Sequence, residues 1–268
     1  MNARLETHDS PHELLPRLMA GPAALSRTGR RTSKTALFLL DAAKYIKSRL
    51  LLLPDGREAS LRRQGYAAFM AGNLCALNGF EIRVSGELPR EPAILVCNHV
   101  GWQDPILVAS VVASLGIAKC EVGDWPLIGD IAKGLDFMLV DRSSAHSGAK
   151  VLLRAKALLE RGASVLTFPE GTTSTGEDVL PFRRGIFGLA QVLELPVVPI
   201  ALRYVGDAPA WVGDASFFPH FIKTVARSRT TADLDFGAPI HPLPGERAEA
   251  MAQRTRATVR AMLCHDKP

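Results

Sequence analysis

A chain of 268 residues, 47% of them hydrophobic, has enough apolar material for one large domain or two small ones, which argues against a disordered polypeptide. Its formal net charge of +5 is unevenly placed: residues 1–66 hold 12 Lys and Arg against 6 Asp and Glu, and the remainder holds 20 against 21. The skew points to an anionic partner for the first quarter; without aromatic interleaving or a reader motif, an acidic membrane surface fits better than nucleic acid.

In chain order, residues 1–34 carry three prolines and no sustained periodicity, the pattern of a mobile basic leader. Residues 36–53, ALFLLDAAKYIKSRLLLL, set Asp41, Lys44 and Ser48 against a broad Leu, Phe and Ile face. Residues 64–80, QGYAAFMAGNLCALNGF, carry no charge but are diluted by glycines and amides. Neither run reaches the ~18 to 20 apolar residues that span a bilayer. Together they read as two helices able to lie in a membrane interface, or as ordinary helices packed on the domain.

From residue 81 strands and helices alternate. Strands are predicted at 81–85 and 93–97, then a helix from 104 to about 114 that opens with Asp104 as N-cap and Pro105 behind it. Strands at 118–122 and 137–141 follow, then a helix at 144–161 ending in Arg-Gly. A strand at 163–168, a helix at 185–194, strands at 196–203 and 231–236 and a helix at 244–263 complete the order. This predicts an α/β fold, a mixed, largely parallel sheet flanked by helices and preceded by an N-terminal amphipathic helical pair. The expected division is a leader at 1–34, a membrane-associating pair at 35–80 and an α/β domain at 81–268.

Sites in such sheets form beyond the carboxyl ends of the strands. Two segments fall there, 98–104 (NHVGWQD) and 168–174 (FPEGTTS). His99 and Asp104 are five residues apart, about 140° around a continuous helix, so they meet only if the loop between them curls. A carboxylate on one imidazole nitrogen fixes the tautomer and raises the basicity of the other, which suits the activation of an alcohol. From spacing alone the plainer reading stands ahead, with Asp104 as a helix cap and His99 as a strand-end hydrogen-bonder. Gly171 lets backbone amides approach a ligand, and Glu170 can accept from a polyol or head group. Cys97 reads as an apolar filler, and the scattered cysteines as reduced thiols in a cytosolic compartment, the N-terminus lacking a secretory signal pattern.

The blocks in order resemble the glycerolipid acyltransferases, among them 1-acylglycerol-3-phosphate acyltransferase and related lysophospholipid and lyso-aminolipid acyltransferases, over about residues 81–240. NHVGWQD is similar to the family's first block, 137–142 (FMLVDR) to the second, FPEGTTS to the third and 198–200 (VPI) to the fourth; 119–121 (KCE) and 125–129 (WPLIG) resemble the connection between the first two. The resemblance implies that His99 is the general base on an acceptor hydroxyl and that Asp104 orients it. It places Asn98, Arg142, Glu170, Gly171, Thr172 and Arg183 around the acceptor, with Arg142 on its phosphate and Arg183, or Arg184, as a second cation. It implies no bound cofactor and no metal. The co-substrate is acyl-CoA or acyl-ACP, and the partners are a membrane lipid acceptor, an anionic membrane surface and, with the second donor, acyl carrier protein. The expected location is the cytoplasmic face of the membrane, peripheral or monotopic.

One departure bears on the acceptor. Family members acting on lysophosphatidic acid often carry an arginine after the Gly-Thr of the third block, where this chain has Thr173. Beside 1-acylglycerol-3-phosphate, a lyso-aminolipid of the lyso-ornithine type or another lysophospholipid is therefore a credible acceptor. A serine hydrolase lacks its G-x-S-x-G elbow, and His146, His220 and His241 stand in no metal-ligand spacing. A non-enzymatic membrane lipid-binding module is the alternative from another class.

Overall fold

The computed structural model describes residues 26–213 and 215–265; residues 1–25 of the expected leader lie outside the described residues. The chain is helical from Arg27, so α1 (Arg27–Tyr45) starts inside the segment expected as leader. Two local causes start it there. The Ser26 hydroxyl accepts from Gly29 N at 3.1 Å, satisfying one orphan amide. The Arg31 guanidinium donates to the carbonyls of Val225 and Ser228, each at 3.0 Å, and to that of Arg227, which fixes α1 against the chain around 225–228. One π turn, Ile46–Leu50, prolongs α1, and Phe38, Ala42, Ile46 and Leu50 form its buried stripe. α2 (Arg57–Asn78) ends at Gly79 in the left-handed region, φ 73°. Glycine is required there twice, for that φ and because a Cβ would lie 2.2 Å from Arg31 Nη2.

Seven strands form one sheet: β1 (Phe80–Gly86), β2 (Ile94–Cys97), β3 (Leu115–Lys119), β4 (Met138–Val140), β5 (Val165–Thr167), β6 (Val197–Tyr204) and β7 (Thr230–Phe236), in the order β1-β7-β6-β2-β5-β3-β4. Only β6 and β7 pair antiparallel; the other neighbours are parallel. The mixed, largely parallel sheet predicted from the alternation is the observed one. β2 lies at its centre, and Ile94, Leu95, Val96 and Cys97 are all inaccessible to solvent, the uniform burial of a strand covered on both faces. Ile94 and Val96 join the larger core with α1, α2 and α5 (Ala145–Glu160). Leu95 and Cys97 face the other with Leu107 and Val108 of α3 (Asp104–Val111). Met70 and Leu77 of α2 belong to the first core and Cys75 to the second, so the helical pair shares its packing with the sheet.

Two expected bounds shift, and two helices appear that were not expected. α3 ends at Val111, and β3 begins at Leu115, earlier than the 118–122 expected, because Leu115 N donates to Ser164 O at 2.9 Å and enters the ladder with β5. A short helix, α4 (Ile128–Gly134), follows a 3₁₀ turn at Cys120–Asp124; too few residues repeat for a period to show. A longer one, α7 (Phe217–Ala226), lies where no element was expected. Pro219 sits in the first turn, where its missing amide would have had no partner anyway. α6 (Gly185–Leu193) and α8 (Ala248–His265) fall close to expectation.

Candidate active site

β2 and β5 are parallel neighbours, so the loops leaving their carboxyl ends emerge side by side. Asn98 follows β2 directly. Its side-chain amide donates to Leu202 O at 2.9 Å and accepts from Leu202 N at 2.7 Å, so it continues the β2–β6 pairing by one side-chain rung and is 2% exposed. Expected beside the acceptor, Asn98 instead fixes the root of the loop to the sheet.

The next five residues curl around one carboxylate. Asp104 Oδ2 accepts from His99 Nδ1 at 2.8 Å, Val100 N at 2.6 Å and Gly101 N at 2.8 Å. Its Oδ1 accepts from the Tyr204 hydroxyl at 2.6 Å. The curl that spacing left open is thus made by the carboxylate itself, because the two amides that close the loop point at it. Asp104 does not cap α3 as expected: Gln103 stands at the N-cap and no side chain caps the helix. All its acceptor capacity faces back, and Asp104 is completely buried.

Asp104 Oδ2 already accepts from two backbone amides, so His99 Nδ1 meets it as a donor and Nε2 is the ring nitrogen turned away from the carboxylate. The imidazole stacks on Phe168, centroids 4.2 Å apart, and Nε2 has no hydrogen-bond partner among the described residues. The backbone of His99 is held from the second loop: its N donates to Glu170 Oε1 at 2.7 Å and its O accepts from Ser174 N at 2.8 Å. The two segments singled out from the sequence therefore meet at one residue.

Glu170, expected at the acceptor head group, is turned inward instead. Its second oxygen accepts from Leu180 N at 3.0 Å, and the side chain is buried. Burial pushes its carboxyl above the usual range, against the pull of the two amides. Gly171 has φ 74°, and a Cβ there would lie 2.5 Å from Arg183 Nε; glycine lets the Arg183 side chain lie over this turn. Thr172 is exposed on the loop, while the Thr173 hydroxyl donates to Trp211 O.

Arg142 follows β4 and is half-buried. Burial and the positive charge of Arg183 lower its pKa, with Glu121 and Cys120 opposing. Arg183 is thus one of the charges that Arg142 feels, and two guanidinium groups that act on one another suit a bound anion. Arg184 pairs with Glu249 away from this group, which separates the two candidate arginines. Cys97 is fully buried and its thiol is pushed well above the usual range by burial and by Asp104, the state of a filler.

Tyr204 was not anticipated. A signal existed: β6 is buried almost throughout, and a tyrosine at the end of such a strand needs a partner for its hydroxyl.

A family model described as Acyltransferase matches residues 81–203. A lyso-ornithine lipid O-acyltransferase from Pseudomonas aeruginosa is 33% identical over 251 residues, 91% of this chain and 95% of the relative. A 1-acyl-sn-glycerol-3-phosphate acyltransferase from Neisseria gonorrhoeae is 25% identical over 244 residues, 88% and 93% of the two chains. The crystal structure of the 1-acyl-sn-glycerophosphate (LPA) acyltransferase from Thermotoga maritima superposes with a TM-score of 0.59 at 20% identity, covering 87% of this chain and 96% of that one, a likeness of fold. The chain, with a relative 33% identical over 91% of its length, belongs to the glycerolipid O-acyltransferase family.

Proposed function

We propose that the protein moves a fatty acyl group from a thioester carrier, acyl-CoA or acyl-ACP, to the free hydroxyl of a lysolipid, with His99 as general base. The observation that carries the reading is the His99–Asp104 contact of 2.8 Å, which leaves Nε2 as the proton acceptor. The acceptor hydroxyl gives its proton to Nε2 while its oxygen attacks the thioester carbonyl carbon. The C–O bond forms, the C–S bond breaks, and the sulfur leaves as a thiol after taking the proton back from the imidazolium. Asp104, the acceptor of four hydrogen bonds, stabilises that imidazolium. No covalent enzyme intermediate is needed.

Arg142 and Arg183 supply the anion site for the acceptor head group. With Thr173 occupied by Trp211 and no third cation supplied at that position, a singly charged carboxylate fits at least as well as a phosphate monoester. The similarity to lyso-ornithine lipid acyltransferases from several bacteria supports a lyso-ornithine lipid as acceptor. The second reading, 1-acylglycerol-3-phosphate, is favoured by the paired arginines themselves. Thiol release from acyl-CoA and from acyl-ACP, measured with each purified acceptor, decides between them, and lipid analysis of cells lacking the protein names the acceptor by the lysolipid that accumulates. Arg183→Ala is expected to raise KM for the anionic acceptor about tenfold, the worth of one charge-assisted contact, with little change in kcat. An unchanged KM removes Arg183 from the site.

The acceptor resides in a bilayer, and the reading places the protein on the cytoplasmic face as a peripheral or monotopic enzyme. Among the described residues no helix is long and apolar enough to cross a membrane. Leu37, Leu40, Leu51 and Leu52 are exposed on α1 and the turn after it, beside Lys44, Lys47 and Arg49. Apolar side chains flanked by cations suit an anionic interface. Replacing Lys47 and Arg49 by glutamine is expected to weaken sedimentation with anionic vesicles by about 2 kcal/mol, and high salt should do the same. Binding indifferent to salt counts against the electrostatic part.

A further inference from the structure

Asp104 is completely buried, and a buried carboxylate is held in place only by its donors. Three of these, His99 Nδ1, Val100 N and Gly101 N, converge on Oδ2 from the loop that the carboxylate itself closes. The fourth comes from elsewhere in the fold. Tyr204, at the last residue of β6, reaches Oδ1 at 2.6 Å. An ionised carboxylate can only accept, so the phenol must donate. Burial and the charge of Asp104 push the phenol well above its usual pKa, which keeps it a donor throughout the working range. β6 also carries Leu202, whose backbone takes both ends of the Asn98 amide. One strand therefore fixes the loop at its root and the carboxylate at its far oxygen.

We infer that Tyr204 is a positioning residue for acyl transfer, its hydroxyl pinning Asp104 Oδ1 so that Oδ2 stays in line with His99 Nδ1. This rests on the general-base reading of His99. Two consequences are separable. Without the phenol Oδ1 loses its donor, the carboxylate is held through Oδ2 alone, and the aim of the imidazole loosens. The carboxylate also keeps more of its charge for the remaining donors, because a hydrogen bond to Oδ1 no longer draws on it, and an imidazolium beside it is better stabilised. The other titratable groups facing the pair are Glu170 from the loop after β5 and Cys97 from β2. Cys97 and the Gln103 side chain also act on the phenol, so the comparison with Phe is read against the Asp104→Asn background, which isolates the route through the carboxylate.

Steady-state thiol release by the full-length protein, with acyl-CoA and acyl-ACP as donors and lyso-ornithine lipid and 1-acylglycerol-3-phosphate as acceptors, provides the test. Tyr204→Phe keeps the ring and is expected to lower kcat about tenfold, the worth of one hydrogen bond to a charged group. KM for the acceptor should stay within twofold, and the acidic limb of the pH profile should move to higher pH. In an Asp104→Asn background the same substitution should cost no more than twofold, since the group it acts through is gone. An unchanged kcat, an equal loss in both backgrounds, or a loss confined to KM overturns the inference. If Tyr204→Phe does not fold, ring-fluorinated tyrosine in a Tyr45→Phe, Tyr66→Phe protein labels position 204 alone, there being 3 tyrosines in the chain. The more acidic phenol is a stronger donor and must move the acidic limb to lower pH; a limb that stays put overturns the inference by this route. His99→Ala separates the two levels. Activity surviving His99→Ala removes the general-base reading, whereas activity lost with His99→Ala and untouched by Tyr204→Phe removes only the role of Tyr204.

Discussion

Replacing His99 by alanine is expected to lower kcat about a thousandfold, within the range that a positioned general base contributes, and to leave the fold in place. The fold survives because His99 gives Asp104 only one of its four donors: Tyr204, Val100 N and Gly101 N remain, and the buried carboxylate stays satisfied. What the protein loses is the stack on Phe168 and the only nitrogen of the dyad free to take a proton. Arg142 and Arg183, the proposed anion site, belong to other elements, so KM for the acceptor should move little. The vesicle binding proposed for α1 should not move at all. Thiol release and sedimentation, measured on the same preparation, therefore separate an enzyme from a lipid-binding module. An enzyme loses the first and keeps the second, and a variant that keeps thiol release within tenfold of the natural protein means that another group removes the proton.

The legibility of the fold followed the regularity of each element. β2 and β5 were readable because continuous apolar runs end in polar loops, and α5 because Ser144 caps it, its hydroxyl accepting from Ser147 N at 3.2 Å, and Gly162 follows it at φ 85°. α7 lies in a stretch from which no element was predicted, and the start of β3 was hidden by a register that Ser164, on a different part of the chain, decides. The candidate site divides in the same way. Residue types at the two loops announced His99, Asp104 and Glu170, but spacing does not say which way a side chain turns. Asn98 and Glu170 carry polar groups at the mouth of a sheet and read as ligand contacts. In the structure both serve backbone groups, Asn98 those of Leu202 and Glu170 those of His99 and Leu180. The reason is physical: a loop that leaves a buried strand exposes backbone amides to a dry interior, and the nearest polar side chains satisfy them first. Tyr204 lies 100 residues from Asp104 along the chain, a partnership that no local pattern can announce.

That inward turn makes Glu170 the second site of large expected effect. Glu170→Ala leaves His99 N and Leu180 N without their acceptor in a buried setting, which is expected to cost about 3 kcal/mol of stability. It also frees the peptide that carries the imidazole, and a displacement on the order of 1 Å at a reacting group costs about a hundredfold in kcat. Glu170→Gln keeps the shape but offers one acceptor oxygen and one NH₂ to two amide donors, so one amide stays unmet and the loss is smaller. The pH dependence of that loss has a definite sign. Burial raises the carboxyl pKa of Glu170 in the folded protein, so the folded state holds the proton more tightly than the unfolded chain. This contribution to stability is fully present below the ordinary carboxyl pKa of about 4.3 and is lost as pH rises through the raised value. Glutamine does not titrate. The stability deficit of the Glu170→Gln variant, followed by chemical denaturation, should therefore shrink as pH rises across that window. A deficit that grows with pH would mean that the two amides outweigh burial and that the carboxylate is held below its ordinary range. A rise in acceptor KM with kcat retained would return Glu170 to the head group, where its motif first suggested it belongs.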